Sequence, residues 1–272
     1  MNKFIIIFFI FLISCSKNDV EIPTLITVNE FELSSTSISG SNSQNISDVW
    51  FYVNDSLQGV YELPASFPVL KTGINNVRLK AGIKVNGISS TRVTYPFFSS
   101  YLDTIEFIGN NNILISPIIN YNDSYNYIIE DFEGSGTIID STLSSEMDFS
   151  VETASNGNKY AYARIDTPNI TFECALDEYI LPQQGASVYL EMDYKCSSEF
   201  QIGVYSNYNQ SVEKNDLLFV TAKDEWSKIY VNLTPTVSSS IGANSFRIYI
   251  NQRRTSNNSF SEIYFDNIKI IY

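Results

Sequence analysis

The sequence predicts an all-β protein built from two β-sandwich domains. Beyond residue 30 almost every segment alternates apolar and polar residues with period two, and no stretch holds a helical period for more than two turns. Gly, Asn, Asp and Pro punctuate the alternating runs at short intervals, as turns do between the strands of packed antiparallel sheets. With 272 residues, 44% of them hydrophobic and 18 each of Tyr and Phe, the chain carries apolar material for more than one core.

Residues 1–14 read as a signal peptide. Asn2 and Lys3 make a short positive start, and Phe4 to Ile13 is unbroken apolar. As a helix that run rises about 15 Å, half of the ~30 Å of hydrocarbon a membrane helix must cross, so it is a signal core and not a span. Leu12-Ile13-Ser14-Cys15 resembles the lipobox of bacterial lipoproteins, which implies cleavage before Cys15, lipidation of its thiol and anchoring in the outer membrane. An ordinary signal peptide with a chance cysteine is the alternative. Residues 15–30 are polar and aperiodic, which suits a flexible tether. Its start, Ser16-Lys17-Asn18-Asp19-Val20-Glu21, resembles the Lys-plus-acidic signal of lipoproteins displayed on the cell surface, with Asn18 interrupting the acidic pair. That resemblance implies surface display, against retention on the periplasmic side.

Residues 31–120 are expected to form the first sandwich. Trp50 to Val53 and Leu57 to Tyr61 flank Asn54-Asp55, a hairpin signature. Strands follow at 76–80, 84–87, 91–96, 104–108 and 113–116, separated by Lys71-Thr72-Gly73, Ala81-Gly82 and Gly109 to Asn112. The unit resembles the small Ig-like or regulatory-type sandwiches that serve as spacers in extracellular bacterial proteins.

A polar connection, Asn120 to Asn126, leads to the second unit, residues 128–272. It opens with Ile128-Ile129-Glu130-Asp131-Phe132-Glu133-Gly134 and closes with Ile263-Tyr264-Phe265-Asp266-Asn267-Ile268-Lys269-Ile270. Between them, strands are expected at 160–165, 170–174, 188–196, 200–205, 217–221, 226–233 and 246–251. The acidic-aromatic opening, Glu225-Trp226-Ser227-Lys228, the alternating Phe246 to Ile250 and the closing Tyr-Phe-Asp-Asn-Ile are similar to the galactose-binding-like jelly roll of many carbohydrate-binding modules. The resemblance implies a jelly roll, no catalysis and a glycan as ligand, although the same sandwich also serves as a docking or structural domain.

Charge and composition narrow the chemistry. With 17 basic and 30 acidic residues the net charge is -13, and no basic cluster is present to release counterions from a polyanion, so nucleic acid is excluded as a partner. The chain has no histidine, which removes the commonest general base, the commonest zinc ligand and every Ser-His or Cys-His pair. Carboxylates, Lys and Tyr remain for catalysis, and oxygen ligands for metal. Cys174 and Cys196 fall on the apolar face of their runs, as buried thiols or as one disulfide.

Three constellations stand out. If Val188, Leu190, Met192, Ile202, Val204, Ile229, Val231, Ile248 and Ile250 face the core, their alternates face outward. Tyr189, Asp193, Gln201, Tyr205, Arg247, Tyr249 and Asn251 among them are candidates for sugar recognition, in which aromatic faces pack on pyranose C–H groups and amides, carboxylates and Arg bind hydroxyls. The alternative is exposed tyrosines acting only as good strand formers. Glu130, Asp131, Glu133 and Asp266 meet if the first and last strands lie side by side, either to bind a structural calcium or as a solvated acidic edge. Nothing in their spacing favours a glycosidase pair. Trp226 and Trp50 are expected to pack on a core or rim. The expected role is a non-catalytic, lipid-anchored envelope protein that binds glycan or another envelope component; the rival is a docking subunit of an envelope protein complex with no small ligand.

Overall fold

The computed structural model describes residues 22–122 and 124–272. The expected signal peptide, Cys15 and the first part of the tether lie outside the described residues. In the rest, the alternation does become strands. The N-terminal sandwich contains β1 (Thr24–Val28), β2 (Glu32–Ser34), β3 (Asp48–Val53), β4 (Ser56–Glu62), β5 (Ala65–Val69), β6 (Gly73–Lys84), β7 (Arg92–Thr94), β8 (Tyr101–Phe107), β9 (Asn112–Ile115) and β10 (Ile118–Asn120). One layer runs β4-β3-β6-β7, with β8 along the other half of β6; the opposite layer is β5-β1-β9 continued by β2-β10. Ile26, Val28, Phe51, Val53, Leu79 and Phe107 close the core between them.

The hairpin at Asn54-Asp55 forms as expected. Both residues take the left-handed conformation, at φ 48° and 63°, that a two-residue turn between right-twisted strands requires. Two expectations change. The expected tether reaches residue 30, yet β1 begins at Thr24, with Ile26 and Val28 fully buried. The turn expected at Ala81-Gly82 does not form, and β6 runs straight through it. A Cβ on Gly82 would stand 2.8 Å from the Trp50 indole nitrogen, so this glycine admits a neighbouring ring and bends nothing.

The C-terminal sandwich contains β11 (Tyr127–Glu130), β12 (Ile139–Ser141), β13 (Ser150–Thr153), β14 (Lys159–Asp166), β15 (Thr171–Leu176), β16 (Tyr189–Cys196), β17 (Phe200–Asn207), β18 (Val212–Val220), β19 (Lys223–Asn232), β20 (Ser245–Arg253) and β21 (Phe260–Ile271), with one short helix, α1 (Thr234–Ser239). The first sheet is β13-β14-β21-β16-β19, with β11 on the last residues of β21; the second is β12-β15-β20-β17-β18. From β14 to β17, and again from β18 to β21, consecutive strands lie in opposite sheets, which is the jelly-roll crossing. All nine residues expected to face inward do so. Cys174 and Cys196 are buried in the same core as free thiols.

The two sandwiches share a buried interface. On the outer face of the first sheet, Tyr189, Tyr230 and Ile271 join the N-terminal core. Tyr95 packs on Tyr230 at 4.9 Å and on Tyr189 at 5.4 Å between ring centres. At the centre lies Glu191, fully buried, which accepts hydrogen bonds from Tyr95 (2.8 Å) and Tyr121 (2.7 Å) and faces the ammonium groups of Lys228 (3.1 Å) and Lys269 (3.6 Å). Burial by itself raises the Glu191 carboxyl; the two lysines and two hydroxyls outweigh it and hold the group below its usual range.

Candidate functional site

The seven residues proposed for sugar contact divide between opposite faces of the C-terminal sandwich. Tyr189 and Asp193 belong to the first sheet, and Gln201, Tyr205, Arg247, Tyr249 and Asn251 to the second. Period two tells which residues point outward but not which sheet a strand joins. Tyr189 is a correction: its ring is buried under the N-terminal sandwich, so it faces no solvent. Asp193 borders the junction of the two sandwiches, bound by Ser43 Oγ (2.7 Å) and Asn267 Nδ2 (2.8 Å).

The second sheet leaves its outer face open. Cross-strand register puts Gln201 between Phe219 and Asn251, and Tyr205 between Lys214 and Arg247. Glu173 on β15 sits opposite Asn251. Its carboxylate is fully buried and takes hydrogen bonds from Thr142 (2.7 Å), Tyr205 (2.6 Å), Asn251 (3.2 Å) and Lys214. Burial pushes this acid up, but the Lys214 charge and the two hydroxyls bring it below the usual carboxylate range. Glu173 is therefore an ionised clamp that fixes the rotamers of Tyr205, Lys214 and Asn251.

Tyr249 is a second correction to the aromatic reading. It is fully buried, laid flat across Gly203, where a Cβ would come within 2.2 Å of its hydroxyl oxygen, and that hydroxyl donates to Asp216. The burial pushes its phenol well up. Arg247 is tied through Nε to the carbonyl of Leu176 at 2.8 Å. What remains accessible is a groove of about 690 Å³ whose walls include Glu173, Gln201, Lys214, Asp216, Phe219 and Asn251. Its aromatic surface is Phe219, 65% exposed, a residue the sequence reading missed. Leu217-Leu218-Phe219-Val220 shows no alternation, and a bulge opposite Ile202 and Gly203 turns Phe219 outward.

The four carboxylates proposed for calcium do not form a ligand set. Glu130 caps its own loop, accepting the N–H groups of Phe132 (2.8 Å) and Ile138 (2.6 Å). Asp131 takes the N–H of Glu133 at 3.2 Å, Glu133 that of Lys159 at 2.7 Å, and Asp266 that of Asn267 at 2.6 Å. Among the described residues no group of three or more His, Cys, Asp and Glu is arranged to hold a metal ion. Trp226 is 44% exposed at the rim of the first sheet, edge-on to Tyr160 at 5.8 Å.

No protein-family model and no curated protein matches the chain. Among solved structures it is similar to a xylan-binding domain of carbohydrate-binding module family 22, at 13% identity over 55% of this chain and 96% of that one, with a TM-score of 0.40. A family 11 module from Clostridium thermocellum in complex with a β-1,3-1,4-mixed-linked tetrasaccharide matches at 15% identity over 54% and 94%, TM-score 0.37. A family 30 module of a Clostridium thermocellum cellulosomal cellulase matches at 19% identity over 50% and 88%, TM-score 0.37.

Proposed function

We propose that this chain is a non-catalytic glycan-binding protein of a bacterial envelope, and that the groove on the second sheet of its jelly roll is the binding surface. The observation that carries the reading is Phe219 standing exposed beside fixed hydrogen-bonding groups. Gln201 and Asn251 offer amides that both donate and accept, Lys214 donates and Asp216 accepts, which is the mixture that paired sugar hydroxyls require. Glu173 has already fixed Lys214 and Asn251, so little side-chain entropy is lost on binding. A buried carboxylate held ionised by Lys214 is a poor general acid, which supports binding without hydrolysis.

Native gels cast with soluble xylan, mixed-linkage β-glucan, mannan or starch test this. Retardation is expected in at least one of them, and Phe219→Ala and Asn251→Ala should each weaken it about tenfold or more. No retardation in any gel would favour the docking-subunit reading.

The sequence pattern around Cys15 supports a lipid-anchored location, and the segment after it supports display on the cell surface. Cys15→Ser should move the protein from the membrane fraction to the soluble fraction without unfolding it. Protease treatment of intact cells should remove the wild type; survival of the protein would place it on the periplasmic side.

A further inference from the structure

We propose that the cavity at the junction of the two sandwiches is a second saccharide site, shaped for one or two neutral pyranose rings. It takes the same ligand class as the groove, lies on the opposite sheet and uses different residues.

The cavity holds about 310 Å³, the lower end of the ~300–1,000 Å³ that small-molecule sites span. One wall is the outer face of the first sheet, with Tyr160, Asp193, Trp226 and Asp266; Ser43 and Gln44 of the N-terminal sandwich form the other. A bulge in β21 builds the floor. Asp193 pairs with Asp266 and Glu191 with Lys269, so two residues of β21 oppose Met192 alone, and Asn267 takes φ 49°. A left-handed asparagine at a bulge re-aims side chains, here bringing Asp266 and Asn267 toward Asp193.

The chemistry of the lining selects the ligand. Trp226 and Tyr160 supply an aromatic wall for C–H faces, and Tyr264 extends it, 6.5 Å from Trp226. Asn156 and Asn158 on the lining carry amides that both donate and accept. Asp193 and Asp266 accept from hydroxyls. Behind Asp193, at 3.7 Å from its Oδ1, lies the ammonium group of Lys228, whose side chain is 2% exposed and whose nearer counter-charge is Glu191 at 3.1 Å. A hydroxyl, donor and acceptor at once, suits a wall that holds carboxylates and an ammonium together. An anionic sugar would meet the two aspartates, whereas a neutral ring can donate to them and accept from the amides of Asn156 and Asn158. Asp266 is pushed up to about 7 by burial and by Asp193, Asp131 and Glu133, which marks negative charge there as already in excess.

Calorimetric titration of the full chain with cellobiose, xylobiose, lactose, galacturonate and choline tests the site. The chain has two tryptophans, and only Trp226 lies in the cavity, so fluorescence gives a second signal. At least one neutral disaccharide should release or absorb heat and shift the emission; Trp226→Ala and Asn158→Ala should weaken that binding about tenfold, and Phe219→Ala should leave it unchanged. The proposal is overturned if no neutral sugar binds, if Trp226→Ala leaves the affinity unchanged in a Phe219→Ala background, if galacturonate or choline binds as well as the neutral sugars, or if Phe219→Ala alone abolishes the heat. The last outcome leaves the groove as the glycan site; loss in Trp226→Ala alone would instead sink the groove and keep the cavity.

Discussion

At the scale of single residues, Asp266 makes stability depend on pH in an unusual direction. Its folded carboxyl titrates near 7, against about 4 in an unfolded chain. Between those values the folded protein keeps a proton that the unfolded chain has released, so this residue's contribution falls as pH rises through that window. Asp266→Asn should therefore raise the urea midpoint at pH 8 and barely change it at pH 4. The gain should be about 1–2 kcal/mol once solvent screening at the open side is counted; equal midpoint changes at both pH values would contradict it. Gly203→Ala should cost about 1–3 kcal/mol, because the Tyr249 ring must leave the strand it lies across. Neither effect is legible in the sequence. What acts on Asp266 and Gly203 lies far along the chain, Asp193 for one and the Tyr249 ring for the other.

At the scale of elements, period two located the long strands well because one face of each is buried and the other is not. It fails at the bulges. On β18 the bulge exposes Phe219, and on β21 it shifts the inward set from Ile263 and Phe265 to Ile268 and Ile270, which no alternation signals. Strand order was equally hidden, so Tyr189 and Tyr205 looked like one surface although they lie on opposite sheets. The same pattern did place Cys174 and Cys196 correctly in the core, and the fold leaves both free. Burial raises both thiols, so neither should react with Ellman's reagent in a folded Cys15→Ser chain, and two should react after unfolding in guanidinium. Fast reaction in the folded state, or none after unfolding, would contradict this burial.

At the scale of the whole molecule, the joint between the sandwiches decides which surfaces are left for ligands. It covers Tyr189, Tyr230 and Glu191 on the first sheet's outer face, leaving the cavity at its border and the second sheet open. Glu191→Leu would strand Lys228 and Lys269 in the interface without their counter-charge, a loss of about 3–5 kcal/mol in urea unfolding. A change below 1 kcal/mol would show the cluster to be dispensable. Lys269, already pulled down to about 8 by burial and by Lys228, should then lose its proton more readily still. The joint was invisible beforehand because Glu191, Lys228 and Lys269 look like the solvated face of an ordinary jelly roll. The central claim is that the second sheet binds glycan, and amide hydrogen exchange with and without the polysaccharide that retards the chain tests it most directly. The expected result is slowed exchange in Phe200–Asn207, Val212–Val220 and Ser245–Arg253. Slowing confined to the N-terminal sandwich, or none anywhere, would contradict it.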